Sequence, residues 1–206
     1  MAITFAVITG AKDTEGSIKN WLNDSTVPAT NILIEAEAWI YERLRVREML
    51  ARSTSFQFDI ATDSEALPSD FLDPVQYLPH NYGAPLPYYH EEAFRAPRDE
   101  AGALFEGTPS RWTVIGTTAY VDVTCDANFA GVLMYYARPA ALSSGNTTNF
   151  LTVRYPTLLR TVCTGLGFGF KKDEARKTSE LQIAELALRE AMKTNEMSRR
   201  GQIVPN

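Results

Sequence analysis

The sequence predicts an α+β protein with a helical-bundle core built from N- and C-terminal helices, a β-rich antiparallel insertion and an extended C-terminal tail. Three observations carry this expectation. Apolar residues recur at three- and four-residue steps in segments 29–52 and 174–197 of the 206-residue chain. Between them the chain alternates with period two or is broken by prolines. The closing MSRRGQIVPN contains Gly201 and Pro205 and shows no periodicity. The expected boundaries are 1–52 and 148–196 for the helical core, 53–147 for the insertion and 197–206 for the tail.

A short helix is expected over Glu15 to Asn23, anchored by Trp21 and Leu22. DSTVPAT interrupts it, and Pro28 stands where a first helical turn tolerates proline. In the next segment, ATNILIEAEAWIYERLRVREMLAR, Ile32, Ala36, Trp39, Val46 and Leu50 form one stripe that only Arg43 interrupts. Leu33, Ile40 and Leu44 widen it, so this helix is expected to meet more than one neighbour.

The pattern changes at Ser53. SFQFDI places Phe56, Phe58 and Ile60 on one face of a strand and Gln57 and Asp59 on the other. The following stretch is rich in proline and tyrosine. Prolines 68, 74, 79, 85 and 87 forbid a helix and exclude a central strand, leaving short strands and ordered loops. RWTVIG, TAYVDVT and GVLMYYARP then read as an antiparallel meander, with Trp112, Val114, Val121, Val123, Leu133 and Tyr135 facing inward.

Helical pattern returns at Asn149, with Pro156 at a helix start or kink. Asp173 is a good N-cap for the last helix, whose stripe is Leu181, Ala184, Leu188 and Ala191, widened by Ile183 and Ala187. The stretch TGLGFGFKKDEARK invites a phosphate-loop reading. A Walker loop needs G-x-x-x-x-G-K-[ST], whereas here Asp173 follows Lys172 and a helical segment precedes the glycines. A dinucleotide fingerprint fails as well, because the third glycine comes one residue early. Gly165 and Gly169 lie four residues apart and share one helix face, so they read as a site of close packing, within the chain or between subunits.

Other chemistry is sparse. His80 and His90 lie in proline-rich loops, and Glu91 and Glu92 beside His90 lack the spacing of a zinc site. Asp70 and Asp73 in LPSDFLDP read as turn caps. Cys125 and Cys163 form no C-x-x-C pair and read as reduced thiols of a protein made inside the cell. No cofactor, metal or catalysis is expected. No apolar run approaches a membrane span, and the N-terminal apolar stretch is too short and wrongly flanked for a signal peptide.

Charge is uneven. Residues 57–106 hold ten acids and two bases, whereas residues 171–206 hold eight bases and six acids. The overall net charge of −5 disfavours tight nucleic-acid binding, which depends on neutralising phosphates.

In order along the chain stand an amphipathic helix, an F-x-F strand, LPSDFL, WTVIG, MYYARPAALS, NFLTVRYPTLL, FKKDEARK and a last helix ending in arginines. This succession resembles the head-to-tail adaptor proteins of tailed bacteriophages, including the tubular-tail or gatekeeper subunits of short-tailed phages. The resemblance covers about Ser17 to Arg200.

It implies a structural virion protein at the head–tail junction, assembled in the host cytoplasm. Twelve copies would form a ring beneath the portal protein, extend the DNA channel and offer a platform to tail or nozzle proteins. Genomic DNA would pass without specific binding. Met197, Arg199, Arg200, Ile203 and Val204 would form the portal-docking tail, arginines pairing with acids and aliphatics filling pockets. The acids of 57–106 would line the lumen, solvate the outside or meet a basic partner. The alternative is a β-rich tail or receptor-binding module with no ring role. Such a module would be expected to carry heptads over several turns, and the last helix offers about two.

Overall fold

A computed structural model of the protein describes residues 3–80, 82–94, 96, 100 and 102–200, and the side chains among these up to residue 195. The chain divides into two compact units, residues 1–48 with 139–206, and residues 49–138.

The first unit is helical. Helix α1 (Phe5–Ile8) and helix α2 (Ile18–Trp21) are single turns capped by the hydroxyls of Thr4 and Ser17. Helix α3 (Ala29–Arg43) buries Ile32, Leu33, Ala36, Ile40 and Tyr41. It stops short of the expected Arg52 for a local reason. Arg45 turns its guanidinium back and donates to the carbonyls of Tyr41 (2.6 Å) and Leu44 (2.8 Å), satisfying orphan acceptors of the helix end. Val46 is still buried, but from an extended segment, and Leu50 already belongs to a strand.

Asn149 caps helix α4 (Phe150–Arg154) in a reciprocal box with Thr152. Pro156 opens helix α5 (Pro156–Phe170), where its missing N–H is one of the first-turn orphans. Lys172 takes the left-handed conformation (φ 59°), and the Asp173 carboxylate accepts from the Arg176 N–H at 3.2 Å to start helix α6 (Glu174–Arg200).

The second unit is built of strands. Strand β1 (Leu50–Phe58), β3 (Phe71–Pro79) and β8 (Phe129–Ala137) form a sheet in the order β1-β8-β3, antiparallel throughout. Strand β2 (Ser64–Ala66), β5 (Trp112–Ile115) and β6 (Thr118–Val121) form a second antiparallel sheet, β2-β6-β5. Strand β4 (Glu106–Gly107) and β7 (Thr124–Cys125) make a short parallel pair. Phe56, Phe58, Tyr77 and Trp112 meet edge-to-face in one aromatic core, closed by Leu86, Val121, Leu133 and Tyr135.

These observations correct the predicted fold class. The protein is α+β, but a helical-bundle core is not what organises it: strands dominate the centre of the chain and hold its large aromatic cluster. A bundle needs a broad apolar stripe on every helix. Here α1 and α2 are single turns, and α6 fully buries only Ala184 and Leu188 among its described side chains. Ile183, expected to widen that stripe, is 53% exposed. The expected extended tail is corrected over residues 197–200, because α6 continues to Arg200. The single meander is corrected too: β5 and β6 form a hairpin, while β8 leaves them to pair with β1 and β3. Proline-bearing β3 lies at a sheet edge, with its register shifted at Pro74, as the missing N–H requires. Ile60 is exposed rather than aligned with Phe58, since the strand ends there and Ala61 turns the chain at φ 61°.

Candidate interaction surfaces

Among the described residues no group of three or more His, Cys, Asp or Glu side chains could hold a metal. The residues weighed for chemistry in the sequence have structural surroundings. Asp70 accepts from the Tyr135 hydroxyl at 3.0 Å, and its carbonyl accepts from the Arg138 N–H. Burial, with that bond and the Asp70 charge, pushes the Tyr135 hydroxyl up to about 12. His90 precedes a single 3-10 turn and touches the Tyr88 ring edge-on. Both cysteines are free and buried. Burial pushes the Cys125 thiol up to about 11, helped by the charges of Asp126, Asp63, Asp122 and Asp59. Burial likewise raises Cys163, so neither thiol is an available nucleophile at neutral pH.

Two buried carboxylates tie distant segments together, and sequence reasoning missed both. Asp122 accepts from the Ser110 N–H (2.9 Å) and hydroxyl (2.5 Å) and from the Arg111 side chain (3.0 Å). Burial alone would raise its pKa, but these bonds outweigh it and hold the carboxyl below its usual range.

Glu37, 3% exposed, accepts from the Leu142 N–H (3.1 and 3.2 Å), the Asn149 amide (2.8 Å) and the Tyr41 hydroxyl (3.1 Å). It thereby fastens the returning chain to α3. The available signal was a lone carboxylate set among Leu33, Ala36, Ile40 and Tyr41 on the buried face.

Burial raises the Glu37 pKa above 4.5, against the opposing bonds from Leu142, Tyr41 and Asn149. A raised pKa means that the folded state binds the proton more tightly than the unfolded one. The associated stability is complete below pH 4.5 and is lost as pH rises through the folded value. The stability of wild type relative to Glu37→Gln should therefore fall as pH rises across that window. Urea unfolding of both proteins at a series of pH values checks this, and a constant difference would mean that Glu37 does not titrate there.

The glycines of TGLGFGF lie in the last turns of α5. A Cβ on Gly165 would sit 3.2 Å from Glu180 and Leu181, and one on Gly169 would sit 2.9 Å from Lys177, all on α6. Gly167, which the spacing argument passed over, faces Leu22, whose Cδ1 leaves no room for a Cβ there. Lys171 reaches the Leu22 carbonyl (3.3 Å) and Asp24 (3.6 Å).

The proposed docking residues divide. Met197, Arg199 and Arg200 belong to the last turns of α6, and their side chains lie outside the described residues. Ile203 and Val204 lie outside the described residues altogether. One turn before Arg199, the Asn195 side chain accepts from the Arg47 N–H at 3.2 Å, and nearby Arg154 pairs with Glu48. These residues border a groove of about 340 Å3 floored by Tyr155, Ala187 and Ala191.

A second groove, of about 380 Å3, runs along α5 between Trp21 and Glu180. Thr157, Thr161 and Thr164 line it, and Arg160 lies over the Trp21 ring at 5.4 Å. On the far side of α6 from α5, Ile183 and Leu186 are 53% and 61% exposed.

The model of one protein family, described as SU10 adaptor protein, matches residues 10–205. No curated protein matches the chain.

Proposed function

The chain belongs to the SU10 adaptor protein family, and from that premise we propose that it forms a ring between the portal and the tail of a phage. Membership over residues 10–205 carries this reading. It makes the protein a bacteriophage adaptor with a structural rather than an enzymatic role, and a component of the virion.

The finer reading concerns position and partners. Twelve copies beneath the portal extend the DNA channel and give tail or nozzle proteins a place to attach. DNA passes through without specific binding, in keeping with the net charge of −5. The helical unit supports such a role, because α6 is 27 residues long and Ile183 and Leu186 on it are exposed. Its C-terminal end leads into the segment proposed to dock on the portal, from Met197 through Arg199, Arg200, Ile203 and Val204. Arginines there pair with portal carboxylates while the aliphatics enter pockets. Assembly occurs in the host cytoplasm and ends at the head–tail junction.

The test is the native mass of the protein alone and after mixing with portal rings from the same genome. Saturation at one copy per portal subunit is expected. A stable trimer, or a monomer that never associates, would point instead to a tail or receptor-binding module. The double substitution Arg199→Glu with Arg200→Glu should weaken portal binding by at least tenfold without changing the unfolding transition, since each charged contact contributes roughly 1.5–3 kcal/mol. Unchanged binding would remove the arginines from the docking segment.

A further inference from the structure

The β5–β6 hairpin has two faces. Trp112, Val114 and Val121 belong to the aromatic core, and strand alternation puts Thr113, Ile115 and Tyr120 on the opposite side. Thr113 pairs with Tyr120 across the hairpin. Ile115 and Tyr120 line a pocket of about 520 Å3 together with Phe94, Leu104 and Asp63. That is the size of a site for a small ligand or a partner's side chain. The Asp63 carbonyl accepts from the Val121 N–H at 2.9 Å, which holds this residue beside β6.

Two features of this place lack partners. Thr113 has no solvent exposure, and its hydroxyl is the one buried side-chain polar atom among the described residues that makes no hydrogen bond. Leaving it unpaired costs stability that an isosteric valine would not. The second feature is charge. Asp59, Asp63, Glu65 and Asp126 have no cation partner among the described residues. Asp59, Asp63 and Asp126 lie close enough together that their charges all add to the effect of burial on the Cys125 thiol. Yet among the described residues no three such groups converge as a metal ion requires.

The chemistry that answers both features is a cation on an apolar stem. Phe94, Leu104 and Ile115 give such a stem apolar walls, and the Phe94 and Tyr120 rings suit a planar guanidinium. A guanidinium carries enough donors in one plane to serve a carboxylate and two hydroxyls, whereas a lysine ammonium is a compact, strongly hydrated charge.

We propose that this pocket takes an arginine side chain of a tail protein, with the guanidinium held by Asp63, Tyr120 and Thr113. The pocket itself stands on the residues that line it. The choice of partner rests on the ring reading, in which the last segment of the helical unit meets the portal and the β unit is left for the tail.

Nuclear magnetic resonance of the full chain titrated with N-acetyl-arginine amide tests the pocket. Shifts are expected at Thr113, Ile115 and Tyr120, and none from the citrulline analogue, which keeps the shape without the charge. Asp63→Asn should weaken binding by roughly tenfold, the loss of one charge-assisted contact. Thr113→Val should raise the unfolding midpoint and weaken arginine binding severalfold; a higher midpoint with unchanged binding would overturn the role of its hydroxyl. No shifts from the arginine amide, or equal shifts from the citrulline analogue, would overturn the inference. Binding that appears only in the Arg95→Ala, Arg98→Ala double variant would also overturn it and assign the pocket to the chain's own arginines. Native mass of portal-bound rings mixed with tail proteins of the same genome tests the partner. Asp63→Asn rings should form normally and hold the tail protein roughly tenfold more weakly. Normal tail capture by that variant would overturn the partner while leaving the ring reading intact. A wild-type chain that forms no ring with portal, yet binds the arginine amide, would overturn the ring reading and support the pocket.

Discussion

Truncating Trp112 to alanine is expected to destabilise the β unit by about 3–5 kcal/mol. Its indole has no solvent exposure and meets the Tyr77 and Tyr88 rings edge-on at 6.2 and 5.2 Å. Alanine would leave a cavity between the sheets and would also strip the Leu86 carbonyl of the indole N–H that donates to it at 3.2 Å. The effect reaches the segment around Tyr88, because the Trp112 N–H donates to the Pro87 carbonyl and the Trp112 carbonyl accepts from the Tyr89 N–H. Chemical denaturation followed by far-ultraviolet circular dichroism measures the loss, and the thermal midpoint of this unit should fall by more than roughly 10 °C. A change within about 0.5 kcal/mol, as at ordinary surface sites, would contradict the placement of Trp112 at the centre of this core.

Gly131→Ala is expected to cost about 3 kcal/mol, from a single added methyl group. Gly131 lies in the central strand β8, where a Cβ would meet the Leu78 carbonyl oxygen at 2.6 Å, the Tyr77 ring at 2.7 Å and the Pro79 Cα at 2.8 Å. Two of these three are backbone atoms of β3, which cannot move without breaking the ladder. Tyr77 is held as well, since its hydroxyl donates to the Phe129 carbonyl. Gly165→Ala provides the contrast. Its Cβ meets α6 side chains at 3.2 Å, a shortfall of a few tenths of an ångström, while alanine gains about 1 kcal/mol of helix propensity. Near-neutral stability is expected there. If the two substitutions have equal effects, the close approach of β3 to β8 at Gly131 is not what restricts that position.

Several elements were legible from spacing alone. The α3 face carrying Ile32, Ala36 and Ile40, the α6 stripe with Ala184 and Leu188, and the Asp173 cap all follow from local periodicity or local hydrogen bonding. The F-x-F pair fell inward, and proline-bearing β3 took an edge. The end of α3 was not legible, since Leu44, Val46 and Leu50 continue the apolar pattern past Arg43. Only the guanidinium folding back onto the helix end marks the stop. The interaction surfaces were partly hidden for a similar reason. Ile183 fits an inward stripe by spacing, yet α5 covers a narrower arc of α6 than the apolar residues occupy.

By itself the sequence determined the α+β class, the faces of its longer helices and strands, and an order of motifs that places it among phage adaptors. Those properties are encoded within a few residues of one another, so neighbouring side chains suffice to specify them. The tertiary structure alone decided that β8 joins β1 and β3, that Gly131 admits no side chain and that Glu37 fastens residues 142 and 149 to α3. It also decided that Ile183 and Leu186 of α6 stay exposed, on the side of that helix away from α5. Each of these depends on which distant segment arrives as a neighbour, and hydrophobic spacing specifies that a face will be buried without specifying by what.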